Sequence, residues 1–84
     1  MKYTDDLTIL ACEYRPPLTG DIGLVGCTWR EMGTIHSAYC FVLADDRLVT
    51  TDIHALPSGV LLAMSYVVVS AKQTSCAIQQ YRGN

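Results

Sequence analysis

The sequence predicts a small, mainly β domain in which five or six short antiparallel strands form a barrel or a two-layer sandwich. Three observations lead to this fold class. The chain has 84 residues, which is the size of one domain, 1–84. Short segments rich in β-branched and aromatic residues alternate with clusters of turn residues. Gly26 lies inside one of these segments, where a glycine predicts a bulge or a bend, as at a barrel corner.

The first four predicted strands cover residues 7–13, 24–30, 38–44 and 48–53. Pro16 and Pro17 end the first strand, because proline has no N–H to donate to a neighbouring strand. Residues 31–36 are predicted to connect the second strand to the third. Two aspartates and an arginine occupy 45–47, and aspartate tolerates turn geometry. The segment 39–51 is therefore predicted to form a hairpin.

The segment 60–70 is predicted to be a fifth strand. Three consecutive valines at 67–69 favour a strand, because β-branched side chains lose rotamer freedom in a helix. The alternative is a short helix over 58–64, where good helix formers follow Ser58 as a candidate N-cap. Residues 75–81 are predicted to be the last strand.

Residues 60–69 are apolar at nearly every position, which is typical of a strand covered on both faces. A second subunit or a partner protein would then bury one of the two faces of this strand. The alternative is a central strand inside a closed barrel. In either case, contiguous apolar surface of this kind is not expected to face water.

The order of a glycine-containing strand, a connection and a hairpin resembles the layout of SH3-like and Sm-like small barrels. The resemblance covers residues 24–56 and rests on the pattern of strands. It implies a barrel-like fold and does not imply a function.

Composition and charge argue against two function classes. The formal net charge is −2 and the pI is about 5.4, whereas a nucleic-acid interface needs a basic face. Residues 60–69 are too short to cross a bilayer as a helix, which takes about 20 apolar residues. Half of the residues are apolar and only 17% are charged. This balance leaves apolar surface for a partner protein or a second copy.

The cysteines predict neither a metal site nor a cofactor. Cys12, Cys27, Cys40 and Cys76 lack the close pairs that zinc sites use. The first residues do not form a signal peptide, because no apolar run follows a basic start. We therefore expect a cytoplasmic protein with reduced cysteines that act as small buried hydrophobes.

One constellation suggests catalysis. Asp52 and His54 are two residues apart and point the same way on an extended strand, and Cys40 lies on the neighbouring strand of the hairpin. The hypothesis is a small cysteine-dependent enzyme with Cys40 as nucleophile, His54 as base and Asp52 orienting the base. The competing interpretation is a buried, inert Cys40 inside an apolar strand.

The function that the sequence favours is a non-enzymatic protein-binding module, adaptor- or inhibitor-like, that acts by surface occupancy and self-associates as a homodimer. A small-barrel accessory of nucleic-acid machinery is a further alternative. The candidate contact residues are the aromatic, arginine and methionine side chains that interfaces favour, with one valine from the apolar run. They are Tyr14, Arg15, Trp29, Arg30, Met32, Tyr66, Val68 and Tyr81. For Trp29 and Tyr66, a place in the core is the preferred interpretation.

Overall fold

The computed structural model describes residues 6–50 and 56–82, with side chains as far as Gln73. It contains strands β1 (Leu7–Arg15), β2 (Gly23–Glu31), β3 (Thr34–Val42) and β4 (Leu48–Val49), followed by helix α1 (Ser58–Arg82). The strands form one antiparallel sheet in the order β1-β2-β3-β4, curled into half a barrel. The mainly β class is thus confirmed in its coarse form. The described residues hold four strands, however, and not five or six.

The largest correction concerns residues 60–70 and 75–81, which were predicted as strands and lie in α1. The reason is tertiary packing. Val60, Met64 and Val68 recur every four residues, and each is fully buried against the sheet. Burying one stripe of a helix outweighs the small propensity cost of the valines. The alternative helix over 58–64 is confirmed, and the helix continues to Arg82.

The helix begins without the predicted Ser58 cap. The carbonyl of Pro57 instead accepts hydrogen bonds from the backbone N–H groups of Val60 (3.0 Å) and Leu61 (3.2 Å). Farther along α1, the Lys72 ammonium pairs with the Asp46 carboxylate in the β3–β4 turn. This hydrogen bond raises the pKa of Lys72. The pair connects the helix to the far end of the sheet.

The β2–β3 connection is shorter than predicted, because two residues suffice to reverse the chain. Met32 and Gly33 both have positive φ, 51° and 82°, as a two-residue hairpin turn requires. Glu31 and Thr34 pair directly on either side of this turn. The third strand therefore starts at Thr34, where the sequence predicted a connection over 31–36.

The β3–β4 hairpin is confirmed, with Phe41 opposite Val49. The backbone N–H of Leu43 donates to the Arg47 carbonyl at 2.9 Å, and the turn contains Asp46 at a φ of 71°. β4 is only two residues long, and most of the rest of the predicted strand 48–53 lies outside the described residues.

The sequence predicted a bulge or bend at Gly26, but the bulge lies on another strand. β2 passes through Gly26 without a shift in its pairing with β3. The bulge is in β1, where the register with β2 shifts between Ile9 and Ala11. One extra residue there keeps Ile9 and Cys12 on the same face of the sheet, the face that α1 covers.

That covered face contains the core of the described region. β2 and β3 contribute alternate residues to it, as expected of strands with one buried face. The buried side chains are Val25, Cys27, Trp29, Cys40 and Val42 from the sheet, with Val60, Met64 and Val68 from α1. The opposite face of the sheet carries no packed element in the described part of the chain.

Candidate functional site: an uncovered aromatic sheet face

The register places a row of large apolar side chains on the face of the sheet opposite α1. We call this set, formed by Leu24, Ile35, Tyr39, Phe41 and Val49, the outer sheet face. Four of its members are strongly exposed. The exposed fractions are 61% for Ile35, 63% for Tyr39, 56% for Phe41 and 42% for Val49.

Four members of the outer sheet face, Leu24, Tyr39, Phe41 and Val49, are contiguous, whereas Ile35 is separated from Tyr39 by the polar Ser37. Leu24 lies opposite Phe41, and Phe41 lies opposite Val49, so these three side chains cross the sheet in one row. Directly opposed residues have Cβ atoms about 5 Å apart, close enough for their side chains to touch. Monomeric proteins commonly expose single apolar residues but rarely a connected aromatic patch.

Gly26 makes room for the aromatic ring of Tyr39. The two residues are directly opposed, and a Cβ on Gly26 would lie 2.6 Å from Tyr39 Cε1 and 2.8 Å from Cδ1. No side chain fits beneath that ring. The ring therefore lies against the backbone of β2 at Gly26, and Tyr39 remains 63% exposed.

Polar groups border the aromatic row on two sides: Thr28 and Ser37 toward the β2–β3 turn, and Glu13 and Arg15 on the edge strand β1. Thr28 Oγ1 and Ser37 Oγ are 3.0 Å apart, and Arg15 lies 4.0 Å from the Glu13 carboxylate. All four belong to strands β1 to β3, and the register places them on the outer sheet face side. An apolar centre with a polar edge is the usual composition of a protein interface.

The β1–β2 loop extends the apolar surface beyond the sheet. Leu18 is 99% exposed and Ile22 is 54% exposed. Together with Pro16 and Pro17, they line an open groove that reaches Leu24 and Phe41 of the outer sheet face. A partner segment could run from the aromatic row into this loop without leaving apolar surface.

Helix α1 presents a second apolar surface on its side away from the sheet. We call Leu62, Tyr66 and Val69 the helix outer stripe, and their exposed fractions are 71%, 75% and 41%. Their spacing of four and three residues places them on one face of the helix. No charged residue occurs between 58 and 71. The segment that the sequence predicted as a strand covered on both faces is a helix instead, covered on one side by the sheet and exposed on the other.

Four of the eight candidate contact residues are exposed, on different parts of this frame. Arg15 and Arg30 are exposed on the outer side of β1 and β2, and Met32 is 76% exposed at the tip of the β2–β3 turn. Tyr66 belongs to the helix outer stripe and not to the core. The structure therefore does not bring these candidates into one site.

Three candidates do not offer a free side chain. Trp29 is 4% exposed, because alternate residues of β2 face the core. Val68 is fully buried, because it lies on the side of α1 that packs against the sheet. Trp29 stacks on His36 with ring centroids 5.5 Å apart, and its indole N–H donates to Glu31 Oε1 at 3.2 Å. Tyr14 is half-buried against the core. Tyr81 lies in α1 beyond the described side chains.

The outer sheet face itself was missed by sequence reasoning, although a signal was present. In β3, Tyr39 and Phe41 alternate with the buried Cys40 and Val42. A strand that is apolar on both faces indicates two covered faces. Residues 38–43 share this pattern with residues 60–69.

The environment of Cys40 is unfavourable for a nucleophile. The thiol is 1% exposed, and burial raises its pKa, whereas reactive cysteines have a lowered pKa and an accessible sulfur. Its proposed partners, Asp52 and His54, lie outside the described residues. The buried, inert interpretation of Cys40 accounts for what is described.

Two searches of the described residues were negative. Between 6 and 50 and between 56 and 82, no group of three or more histidine, cysteine or acidic side chains is arranged to hold a metal ion. Over the same ranges, no helix combines the length and the apolar character needed to cross a membrane.

No protein-family model, no curated protein and no solved structure matches this chain. What the structure itself defines is a class: a small sheet-and-helix domain with one face of its sheet packed and the other open and aromatic. The function must therefore be argued from the two exposed surfaces.

Proposed function

We propose that this chain is a non-enzymatic protein-binding module that uses its outer sheet face to occupy the surface of another protein, as an adaptor or an inhibitor does. One observation carries the proposal. Tyr39, Phe41 and Val49 lie together on an uncovered sheet face and remain 42–63% exposed. Covering such a patch releases water from apolar surface, which is the main favourable contribution to protein association.

The chemistry of the patch favours a protein as the occupant. Tyrosine and phenylalanine supply large contact areas at a low cost in side-chain entropy, and interfaces are enriched in both. Tyr39 is held in position by its seat on Gly26, so little of the binding free energy is lost in ordering it. The acidic net charge of −2 disfavours a nucleic acid on the same aromatic face.

Self-association is the second part of the proposal, and the helix outer stripe supports it. Leu62, Tyr66 and Val69 form an apolar seam on a helix segment without charges, so a second copy can pack against it without charge repulsion.

The first experiment measures solution mass by light scattering over a wide concentration range, for the unaltered chain and two variants. We expect a dimer that Leu62→Asp converts to a monomer and that Phe41→Asp leaves intact. Both positions are exposed, so neither substitution buries a charge in the monomer. A monomer at all concentrations, or loss of the dimer in Phe41→Asp alone, would contradict the assignment of the helix outer stripe to self-association.

The second experiment tests the outer sheet face with the same pair of variants, now with their roles exchanged. Any specific partner captured by the unaltered chain should be lost with Phe41→Asp and retained with Leu62→Asp. Binding should change little with salt. A partner retained by Phe41→Asp would overturn the proposal, and steep weakening with salt would favour the nucleic-acid alternative.

A further inference from the structure

Two cysteines face each other across the β1–β2 pair. Cys12 lies directly opposite Cys27 in the register, on the core side of the sheet. Directly opposed residues of an antiparallel pair have Cα atoms about 4.5–5.5 Å apart. Disulfides span Cα separations of about 4.4–6.8 Å. The backbone alone therefore places this pair within bonding range.

The side chains are already turned toward each other. The Cys12 thiol donates to Cys27 Sγ with the two sulfurs 2.7 Å apart. Both thiols are free in this structure. We infer that Cys12 and Cys27 are a modification site: an oxidisable cross-strand dithiol that a small-molecule disulfide such as glutathione disulfide converts to an intramolecular disulfide.

The third described thiol does not compete for either partner. Cys40 lies opposite Val25, and Ala38 is the residue opposite Cys27. Cys40 is therefore diagonal to Cys27, a relation that separates residues by about 7–8 Å, beyond the reach of a disulfide without backbone movement. The register singles out the pair formed by Cys12 and Cys27.

The difference in burial between the two sulfurs sets the order of the reaction. Cys12 is half-buried on the edge strand β1, whereas Cys27 is 4% exposed on the central strand β2. A tripeptide disulfide can reach Cys12 and not Cys27. Burial, and next the neighbouring Cys12 sulfur, raise the pKa of the Cys27 thiol to about 12. Cys27 therefore stays protonated and does not react first. Its attack in the second step depends on the closeness of Cys12 Sγ, 2.7 Å away, which makes that step intramolecular.

In the first step, the Cys12 thiolate attacks one sulfur of glutathione disulfide, and the S–S bond breaks to release a glutathione thiolate. In the second step, Cys27 gives up its proton and attacks Cys12 Sγ, which displaces the second glutathione thiolate. The thiolates leave as thiols by taking up the two protons that the cysteines lose. The pair is oxidised by two electrons, and one glutathione disulfide is reduced to two glutathione molecules.

The test treats the folded, unaltered chain with glutathione disulfide and maps its cysteines by mass spectrometry. Cleavage after Glu13 and after Arg30 places Cys12 and Cys27 in separate peptides, because the Arg15–Pro16 bond resists trypsin. We expect a linked Cys12–Cys27 pair as the dominant product, with loss of two hydrogens from the linked peptides and no glutathione on Cys12 or Cys27. Stable glutathione on Cys12, or a dominant link to another cysteine, would overturn the inference.

A matched variant and a control complete the test. Cys12→Ser should leave Cys27 as an unreacted thiol, and Cys40→Ser should form the same Cys12–Cys27 link as the unaltered chain. The disulfide should also raise the melting temperature by about 10 °C, because it closes a short loop across β1 and β2. If guanidinium-unfolded chain gives the same dominant link as folded chain, the native register does not direct the pairing and the inference is wrong.

Discussion

At the scale of single residues, the β2–β3 turn stores local strain. Met32 has a φ of 51° although it carries a side chain, and Gly33 follows at 82°. A non-glycine residue in this left-handed region costs about 1 kcal/mol, and asparagine tolerates it best. The turn geometry is therefore held by the strands on either side and by the hydrogen bond from the Met32 N–H to the Asp6 carbonyl at 3.0 Å.

We expect Met32→Asn to raise the free energy of unfolding by about 0.5–1 kcal/mol, because Asn-Gly is the preferred pair for this turn. The Met32 side chain is 76% exposed, so its removal costs little. Chemical denaturation of the variant beside Met32→Ala is the measurement. Met32→Ala is the control, because it also removes the methionine side chain but lacks the preference of asparagine for this turn. Equal stability of the two variants would contradict the prediction.

The buried thiol of Cys27 predicts a pH dependence of stability. Its pKa lies at about 12 in the folded chain against an ordinary value of 9.0, chiefly because of burial. The unfolded chain therefore loses this proton first as the pH rises. The stabilising contribution is fully present below about pH 9 and is lost progressively toward pH 12, at up to ~1.4 kcal/mol per pH unit.

The measurement is denaturation of the reduced chain at several pH values above 9, compared with Cys27→Val. The valine variant should lose stability less steeply, because it has no thiol to titrate. Thr28→Val is the control, since this neighbouring residue points to the other face of the sheet and carries no ionisable group. If the free energy of unfolding falls with pH at the same rate in Cys27→Val and Thr28→Val, the Cys27 thiol does not contribute to the pH dependence of stability.

At the scale of elements, α1 has two apolar sides with different roles. The stripe Val60, Met64 and Val68 is buried against the sheet, whereas Leu62 and Tyr66 face solvent. A helix placed in this way is stabilised by its packed stripe and not by the propensity of its residues. The exposed stripe makes no contact with the sheet, so we expect it to contribute little to the stability of the monomer, and its proposed role is association.

We therefore expect Met64→Ala to lower the free energy of unfolding by about 2–5 kcal/mol, because it leaves a cavity between α1 and the sheet. Leu62→Ala should change it by less than ~0.5 kcal/mol when measured at concentrations where the chain is monomeric. Met64→Leu, which conserves volume, separates lost packing from a failure to fold. Similar losses for Leu62→Ala and Met64→Ala would mean that the two sides of the helix are wrongly assigned.

At the scale of the whole molecule, the protection of backbone amides from hydrogen exchange should decrease from the middle of the sheet outward. β2 pairs with β1 on one side and with β3 on the other along its full length. It also supplies Val25, Cys27 and Trp29 to the core. Amides in such a strand exchange only when much of the domain opens.

Hydrogen exchange measured by mass spectrometry or NMR tests this order. We expect the slowest amides in β2, with protection approaching the global free energy of unfolding of about 4–12 kcal/mol. Amides of the 16–22 loop and of the two-residue strand β4 should exchange orders of magnitude faster. Equal protection in β2 and β4 would show that the sheet does not open as the topology implies.

The sequence by itself determined the local features of this protein. Prolines after residue 15 end β1, the acidic turn at 45–47 joins β3 to β4, and the alternating residues of β2 mark a strand. These features depend on the backbone chemistry of a few neighbouring residues. The apolar character of residues 60–69 on both sides was also readable.

Only the tertiary structure decided what those apolar segments do. The valines at 67–69 favour a strand locally, and the buried stripe of α1 overrides that preference because the sheet offers a face to pack against. Likewise, strand order and register determined that Gly26 seats Tyr39, that Cys12 meets Cys27 and that Phe41 lies on the uncovered face. Those relations join residues 13 or more apart in the chain, where local propensity carries no information about pairing.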